Sequence, residues 1–259
     1  MIRTAVFPVA GRGTRLQPAT HAVAKELLPV LDTPVLDFAI AEARDTGIER
    51  FVFVTSDEKP EIEAYVQSRF PELSAEFIPQ EEPKGLGHAV FTANRIADDG
   101  PFAVVLPDDV IFGASPVLAQ MARVYDKGFA HHMIAAMEVR PDTVGAYGIL
   151  DADIPAKGRH TMIEGLVEKP GPEEAPSNLA AVGRYILHPT IFETLLTVGP
   201  GRGDEIQLTD AIARDIQRMG VAAFRFDGVR FDCGQPDGLL EAGSALQDAR
   251  EMTQKGAVA

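Results

Sequence analysis

Short apolar runs alternate with helix-like segments through the first half of the chain, and this alternation constrains the fold more than any other feature. Runs rich in β-branched residues predict strands, whereas amphipathic segments bounded by Pro or Gly predict helices. Such alternation is typical of parallel βαβ units, which bind ligands at the carboxyl ends of their strands. The predicted strands are residues 4–9, 50–55, 75–78 and 102–106, and the predicted helices are residues 35–46, 61–70, 86–97 and 117–127.

The second half of the chain is less regular and predicts strands that complete a mixed sheet. With 259 residues, 46% of them hydrophobic, the chain can bury one large core. We therefore expect a single α/β domain of Rossmann-like type, with a mixed, mostly parallel central sheet flanked by helices. The predicted strands of this half are residues 133–139, 161–167, 179–187 and 221–226, and the predicted helices are residues 205–219 and 236–250.

The charge and cysteine content argue against several classes of partner. The formal net charge is −14 and no basic run occurs, which argues against nucleic acids and anionic membranes as partners. The single cysteine, Cys233, excludes an internal disulfide and fits a reducing compartment. No apolar run approaches the roughly 20 residues that span a bilayer, and no signal-peptide pattern is present. The sequence therefore predicts a soluble, cytoplasmic protein.

A glycine-rich loop followed by two cations ends the first predicted strand. Gly11 and Gly13 allow the backbone to approach a ligand and to direct N–H groups at an anion. Arg15 and Lys25 add two positive charges at the same end of the sheet. Because the chain as a whole is strongly acidic, this local group of cations predicts a triphosphate site.

The loop differs from two common phosphate-binding motifs and resembles a third. The Walker P-loop needs G-x-x-x-x-G-K-[ST], which does not occur in this chain, and the dinucleotide fingerprint needs a glycine where Leu16 stands. Together with the later K-E-L-L-P run, the loop resembles that of the sugar-phosphate nucleotidylyltransferases. The matching residues are Gly11, Gly13, Thr14, Arg15, Leu16, Pro18, Thr20, Lys25, Glu26, Leu27, Leu28 and Pro29.

Two aspartates are candidates for a divalent metal site. Asp108 directly follows a predicted buried strand, and Asp232 stands between an aromatic residue and Cys233-Gly234. Mg²⁺ prefers carboxylate oxygens combined with substrate phosphates, although aspartate is also a common turn residue at such positions. The family resemblance implies that Asp108 and Asp232 bind Mg²⁺. Cys233 itself is expected to be a small buried packing residue.

The segment that begins at Gln80 resembles the pyrimidine-binding element of the family. An amide side chain offers both a donor and an acceptor to a uracil or thymine edge. The run Gly-Leu-Gly-His-Ala is the one found in uridylyltransferases, whereas thymidylyltransferases tend to have Gly-Leu-Ala-Gln-Ala. His88 is expected to lie at a helix start, without a catalytic role. The nucleotide-binding residues that the resemblance implies are Ala10, Gly11, Gly13, Glu26, Gln80 and Gly85.

A predicted strand that ends in Glu-Lys-Pro supplies the candidates for the second substrate. Glu168 offers a carboxylate to sugar hydroxyls and Lys169 an ammonium to a phosphate, although a surface ion pair is the common alternative. The resemblance assigns both residues to the sugar-phosphate site, together with Gly148, where a hexose approaches the backbone. Glu205 and Asp210 are expected to serve a helix start and packing.

The resemblance implies transfer of a uridylyl group from UTP to glucose 1-phosphate, giving UDP-glucose and pyrophosphate. The sugar phosphate would attack in line without a covalent enzyme intermediate, so catalysis would consist of positioning and charge stabilisation. The implied catalytic residues are Arg15, Lys25 and Asp108. The alternatives are a glucose-1-phosphate thymidylyltransferase or another sugar-1-phosphate nucleotidylyltransferase, and, in a different class, a non-catalytic nucleotide-sugar-binding regulatory subunit.

The resemblance also carries expectations about organisation. A nucleotide-binding half would comprise about residues 1–110 and a sugar-phosphate-binding half about residues 111–259. A homo-oligomer, either a dimer or a tetramer, is implied. The chain departs from the family in its short segment between Ser56 and Gln80, where longer members insert helices that contribute to subunit contacts, and at His21 and Ala24, where Lys and Pro are usual.

Overall fold

A mixed sheet of ten strands forms the centre of the computed structural model, which describes residues 2–126, 128–154 and 158–256. Following the strand pairings, seven of these strands point in one direction and three in the other. The prediction of a mixed, mostly parallel sheet is therefore confirmed. The strands are β1 (Thr4–Pro8), β4 (Arg50–Thr55), β5 (Ser74–Pro79), β6 (Phe102–Val105), β8 (His132–Glu138), β9 (Gly148–Asp151), β10 (His160–Met162), β11 (Gly165–Glu168), β12 (Leu179–Leu187) and β13 (Val221–Arg225).

The main path of the sheet has the order β10-β13-β8-β12-β6-β1-β4-β5, with β9 paired to β12 and β11 paired to β9. The strands β10, β11 and β12 are the three that run against the others. Two short antiparallel ribbons lie outside this sheet. One pairs β2 (Pro29–Val30) with β3 (Thr33–Pro34), and the other pairs β7 (Asp109–Phe112) with β14 (Val229–Asp232).

Helices cover both faces of the sheet and bury alternate side chains of the central strands. Val6 and Val52 lie in a core with the helices of one face, whereas Phe7 and Phe53 lie in a second core with those of the other face. Burial on both faces explains why these strands read as continuous apolar runs. The helices are α1 (Val35–Thr46), α2 (Pro60–Arg69), α3 (Leu86–Thr92), α4 (Val117–Val124), α5 (Ile191–Leu195), α6 (Leu208–Met219) and α7 (Pro236–Gly256). Within the described residues, none of them is long and apolar enough to cross a membrane.

The bounds of several predicted elements differ from those in the structure. The predicted strand 161–167 is two strands, because the chain leaves β13 after Ile163 and Glu164 donates to the Asp151 carbonyl oxygen, where pairing with β9 begins. The predicted helix 205–219 begins only at Leu208, since residues 205–207 are extended against residues 84–87. The predicted helix 86–97 ends at Thr92 and is followed by a 3₁₀ segment. Helix 117–127 ends at Val124, and its last predicted residue lies outside the described residues.

Candidate active site

Two adjoining cavities open where the central parallel strands end. The larger, of about 510 Å³, lies along the glycine-rich loop after β1 and is called the loop cavity. The smaller, of about 200 Å³, lies beside β9, β11 and β12 and is called the sheet cavity. The predicted site residues that line the loop cavity are Ala10, Gly11, Gly13, Lys25, Gln80, Gly85 and Asp108, and those that line the sheet cavity are Arg15, Asp108, Gly148, Glu168 and Asp232. Asp108 therefore stands where the two cavities meet.

The glycine-rich loop has room for no side chain at Gly13. Its φ of +65° lies in the left-handed region, and a Cβ there would come within 3.0 Å of Thr20 Cγ2 and 3.1 Å of Lys25 Cβ. Thr20 also donates from its hydroxyl to the Gly13 carbonyl oxygen at 2.9 Å. The loop is thus packed closely against the segment that carries Lys25.

A buried lysine that sequence analysis missed holds this loop from beneath. Lys59 Nζ donates to the carbonyl oxygens of Val9, at 2.9 Å, and of Gly11, and it pairs with Glu26 Oε2 at 2.9 Å. Glu26 is 1% exposed, and its Oε1 has no hydrogen-bond partner among the described residues. Lysines are seldom buried without such partners. Lys59 was missed because a lysine just before Pro60 resembles an ordinary exposed helix start.

Lys25 and Asp108 form a close ion pair at the junction of the cavities, with Nζ and Oδ2 2.5 Å apart. Burial alone would lower the pKa of Lys25, but the carboxylates of Asp108 and Glu26 outweigh it and hold that pKa above its usual value. Burial would likewise raise the pKa of Asp108, yet Lys25 and Arg15 hold it below its usual value. Lys25 is therefore cationic and Asp108 anionic near neutral pH.

The ribbon of β7 and β14 brings the two predicted metal ligands together. Asp108 immediately precedes β7 and Asp232 ends β14, and the Cys233 N–H donates to the Asp108 carbonyl oxygen at 2.8 Å. A Cβ on Gly234 would lie 3.0 Å from a carboxylate oxygen of each aspartate and 2.7 Å from Arg15 Nη2. Oδ2 of Asp108 and Oδ1 of Asp232 are thus no more than about 6 Å apart, and both face Gly234.

The carboxylate oxygens of Asp108 and Asp232 fit a magnesium ion that also binds substrate. No group of three or more His, Cys, Asp or Glu side chains suited to a metal ion occurs in the part of the chain that the structure describes. Asp108 and Asp232 supply two carboxylates only, and Mg²⁺ in proteins is usually held by one or two carboxylates together with substrate phosphates. Arg15 lies 3.5 Å from Asp232 at the same place.

Arg230 is a second charged residue that sequence analysis missed. Its Nε lies 2.7 Å from Asp109 Oδ1, its Nη1 donates to the Tyr147 hydroxyl at 3.1 Å, and its Nη2 lies 3.8 Å from Asp232 Oδ2. Burial would lower the pKa of Arg230, but Asp109 and Asp232 outweigh it and raise that pKa. The sequence could have indicated this role, because Arg230 stands two residues before Asp232 and alternate residues of a strand share one face.

The sheet cavity is bounded at the start of β9 by a glycine, Gly148, that has no room for a side chain. A Cβ on Gly148 would lie 2.9 Å from Thr209 Cγ2 and 3.3 Å from Glu168 Oε2. Glu168 Oε2 itself accepts a hydrogen bond from the Thr209 hydroxyl at 2.8 Å, so its carboxylate is held toward the cavity. Lys169 follows β11 with a left-handed φ of +47°, and its side chain is 44% exposed, 3.4 Å from Glu168.

The Gln80 side of the loop cavity is enclosed by backbone from both halves of the chain. Gln80 is buried at the end of β5, and its amide nitrogen lies 3.3 Å from the Gly85 carbonyl oxygen. Gly85 has a φ of +94°, and a Cβ there would lie 2.7 Å from Glu205 Cβ. Glu205 lies before α6 and lines the loop cavity rather than starting the helix, whereas Asp210 lies in the first turn of α6.

Two further expectations about single residues agree with the structure. His88 is the third residue of α3, close to the helix start. Cys233 is buried as a free thiol beside Val30 and Val110, and burial raises its pKa to about 12. A thiol with that pKa is uncharged and unreactive at neutral pH, which is consistent with a packing role.

The loop cavity and the sheet cavity meet at a group of cations and carboxylates, an arrangement that suits an enzyme that joins a nucleotide to a second ligand. The chain belongs to the nucleotidyl transferase family, whose model matches residues 5–249. It is 38% identical to the UTP–glucose-1-phosphate uridylyltransferase of Pseudomonas aeruginosa over 266 aligned residues, which cover 93% of this chain and 95% of the relative.

Solved structures agree with this membership. A UDP-glucose pyrophosphorylase complexed with UDP-glucose matches with a TM-score of 0.90 and 36% identity, over 96% of this chain and 100% of that chain. A UTP-bound UGPase from Acinetobacter baumannii matches with a TM-score of 0.84 and 36% identity, over 95% of this chain and 93% of that chain. The fold of the nucleotidyltransferases therefore extends over nearly the whole chain.

Proposed function

We propose that this protein transfers the uridylyl group of UTP to glucose 1-phosphate, giving UDP-glucose and pyrophosphate. The observation that carries the proposal is the meeting of the loop cavity and the sheet cavity at Asp108, beside Lys25 and Arg15. A nucleoside triphosphate in one cavity and a sugar phosphate in the other would place their phosphates at this junction. The names of the aligned relatives specify the same reaction and do not favour a thymidylyltransferase.

In the proposed reaction, an oxygen of the sugar phosphate attacks the α-phosphorus of UTP as the bond to the pyrophosphate oxygen breaks on the opposite side. No enzyme group becomes bonded to phosphorus, so the protein positions the two anions and offsets their charge. Lys25 and Arg15 bind the triphosphate and stabilise the negative charge that grows on the leaving pyrophosphate. Lys169 binds the attacking phosphate, and Glu168 binds sugar hydroxyls above Gly148.

Nucleotidyltransferases generally use a divalent metal ion, and we assign Mg²⁺ to Asp108 and Asp232. The ion would neutralise charge between the two phosphate groups. Lys25 keeps Asp108 ionised, as the lowered pKa of that carboxyl indicates. The ribbon of β7 and β14 holds the backbones of the two aspartates near each other, because Asp108 directly precedes β7 and its carbonyl oxygen accepts a hydrogen bond from the Cys233 N–H.

The base would lie beside Gln80, Gly85 and Ala10, with Gly11 and Gly13 against the phosphates. Glu26 belongs to this nucleotide side through its contact with Lys59. We assign about residues 1–110 to nucleotide binding and about residues 111–259 to sugar-phosphate binding. Contacts such as Gly85 with Glu205 join the two parts within one domain.

We further propose a cytoplasmic homo-oligomer, a dimer or a tetramer. The free, buried Cys233 supports a reducing compartment. Leu31 and Leu240 are 45% and 72% exposed and line one shallow pocket, an apolar surface that a second copy of the chain would cover. Light scattering on the purified protein gives its mass directly, and a mass of 27.9 kDa would contradict the oligomer.

Release of pyrophosphate over a matrix of nucleoside triphosphates and sugar 1-phosphates tests the proposed reaction. We expect UTP with glucose 1-phosphate to give the highest kcat/KM and purine triphosphates to be poor substrates, because a wrong base leaves buried polar groups unpaired. A higher kcat/KM for dTTP would reassign the protein to the thymidylyltransferases. Absence of turnover with every pair would favour the non-catalytic binding subunit.

A further inference from the structure

The amide of Gln80 has one orientation that satisfies its neighbours. Its Nε2 lies 3.3 Å from the Gly85 carbonyl oxygen and 2.9 Å from His88 Nδ1. A carbonyl oxygen only accepts hydrogen bonds, so Gly85 requires the NH₂ end of the amide on this side. The second N–H of the same group then meets His88 Nδ1, which must act as an acceptor.

His88 is suited to accept this hydrogen bond because its ring is neutral. Partial burial lowers the pKa of His88 and Lys84 lowers it further, outweighing the opposite effect of Glu82. A neutral imidazole with its proton on Nε2 has a free lone pair on Nδ1. Both N–H groups of Gln80 are thus engaged within the protein, and its carbonyl oxygen Oε1 is the group left for a ligand.

We propose that His88 is a positioning residue that sets base choice by fixing the Gln80 amide with Oε1 toward the base. Uracil carries a donor at N3, which an amide oxygen accepts. Cytosine carries an unprotonated N3, so two acceptors would face each other and binding would be weakened. This inference rests on the proposed function, since it requires the base to lie beside Gln80.

The test compares kcat/KM for UTP and for CTP in full-length His88→Ala, His88→Asn and Gln80→Ala proteins, at saturating glucose 1-phosphate. Alanine removes the acceptor, whereas Asn Oδ1 stands as many bonds from the backbone as His Nδ1 and can accept in its place. We expect His88→Ala to lower the UTP-to-CTP ratio about tenfold, as for loss of one orienting hydrogen bond. His88→Asn should restore most of the ratio, and Gln80→Ala should abolish it.

The outcomes separate the positioning role of His88 from the proposed function. A ratio that His88→Ala preserves and Gln80→Ala abolishes would overturn the role of His88 while leaving the base site intact. A ratio that Gln80→Ala also preserves would overturn both. If His88→Asn does not restore the UTP-to-CTP ratio that His88→Ala lowers, His88 is structural and the inference is overturned. The same holds if His88→Ala raises the KM for glucose 1-phosphate as much as it lowers the ratio. Circular dichroism checks folding, and His88→Leu, which keeps bulk without an acceptor, replaces an alanine variant that does not fold.

Discussion

The two sides of the candidate site differ in how far their charged side chains are buried. On the loop-cavity side, buried charges brace the backbone, since Lys59 and Glu26 are 9% and 1% exposed at their side chains. On the sheet-cavity side, Arg230 and Asp109 also form a buried pair, but Lys169, the candidate phosphate ligand, follows a short strand and is 44% exposed. This difference implies that substitutions of Lys59 or Glu26 cost folding stability as well as activity, whereas substitution of Lys169 mainly costs use of one substrate.

The largest effect is expected where the two sides meet. Asp108→Asn removes one of two candidate metal ligands and leaves Lys25 facing a neutral amide. We expect turnover to fall about 10³-fold, the scale found when a group that stabilises transition-state charge is lost. Pyrophosphate release over a magnesium titration measures the loss, with circular dichroism to confirm folding. Asp32→Asn is the control, because Asp32 is an exposed partner of Arg250 and its loss should leave turnover unchanged. A folded Asp108→Asn protein with near-normal turnover would exclude Asp108 from the metal site.

A large effect on stability is expected beneath the glycine-rich loop. Lys59→Met leaves Glu26 buried without its partner, and breaking a buried ion pair in this way costs about 3–5 kcal/mol. Urea unfolding should show this loss, and adding Glu26→Gln should recover much of it, because the uncompensated charge is then gone. Arg44→Met, which breaks an exposed pair with Glu72, is the matched control and should cost less than about 1 kcal/mol. Equal stability of Lys59→Met and the wild type would show that this pair does not brace the loop.

A smaller and more selective effect is expected on the sugar side. Lys169→Met keeps much of the aliphatic stem and removes the charge. A charge-assisted contact is worth about 1.5–3 kcal/mol, so kcat/KM for glucose 1-phosphate should fall roughly ten- to a hundredfold. Equilibrium titration should show little change in UTP affinity, in contrast to Lys25→Met. If both variants lose UTP affinity to the same degree, the two sides do not divide the substrates as proposed.

The smallest effect concerns acid stability. The folded-state pKa of Asp108 lies below its usual value of 3.8, so the ionised group stabilises the fold above that pH. This contribution is lost as the pH falls through the folded-state pKa. The difference in free energy of unfolding between the wild type and Asp108→Asn should therefore shrink as the pH is lowered from neutral to about 3. Urea unfolding at each pH measures it, and a difference that is independent of pH would contradict the assigned direction.

Local patterns predicted the regular parts of the fold well. The predicted bounds of α1, β4 and β12 agree with the structure residue for residue, because each is a continuous run closed by turn or helix-end residues. The ribbon of β7 and β14 was not predicted. Its strands have four residues each and lie in distant parts of the sequence, so only the folded chain brings them together.

The same distinction applies to the site. Most residues predicted from the glycine-rich loop and the family motifs line the two cavities, whereas Glu26 is buried beneath the loop and Lys169 is exposed beside Glu168. Lys59 and Arg230 were missed because their roles depend on partners 33 and 121 positions away. A charged residue is recognised as buried only when the groups that neutralise it are known. Residue spacing along the sequence does not reveal partners that only the folded chain brings together.

The extended stretch at residues 205–207 has a consequence for how such an enzyme diversifies. Glu205 lines the loop cavity and Gln207 lines the sheet cavity, while the intervening Ile206 exchanges backbone hydrogen bonds with Lys84 and Gly87. Three consecutive residues thus contribute to the surroundings of both cavities. Under the proposed function, substitutions here that admit a new sugar would also alter the nucleotide pocket, so the two specificities would be inherited as linked traits rather than as independent ones.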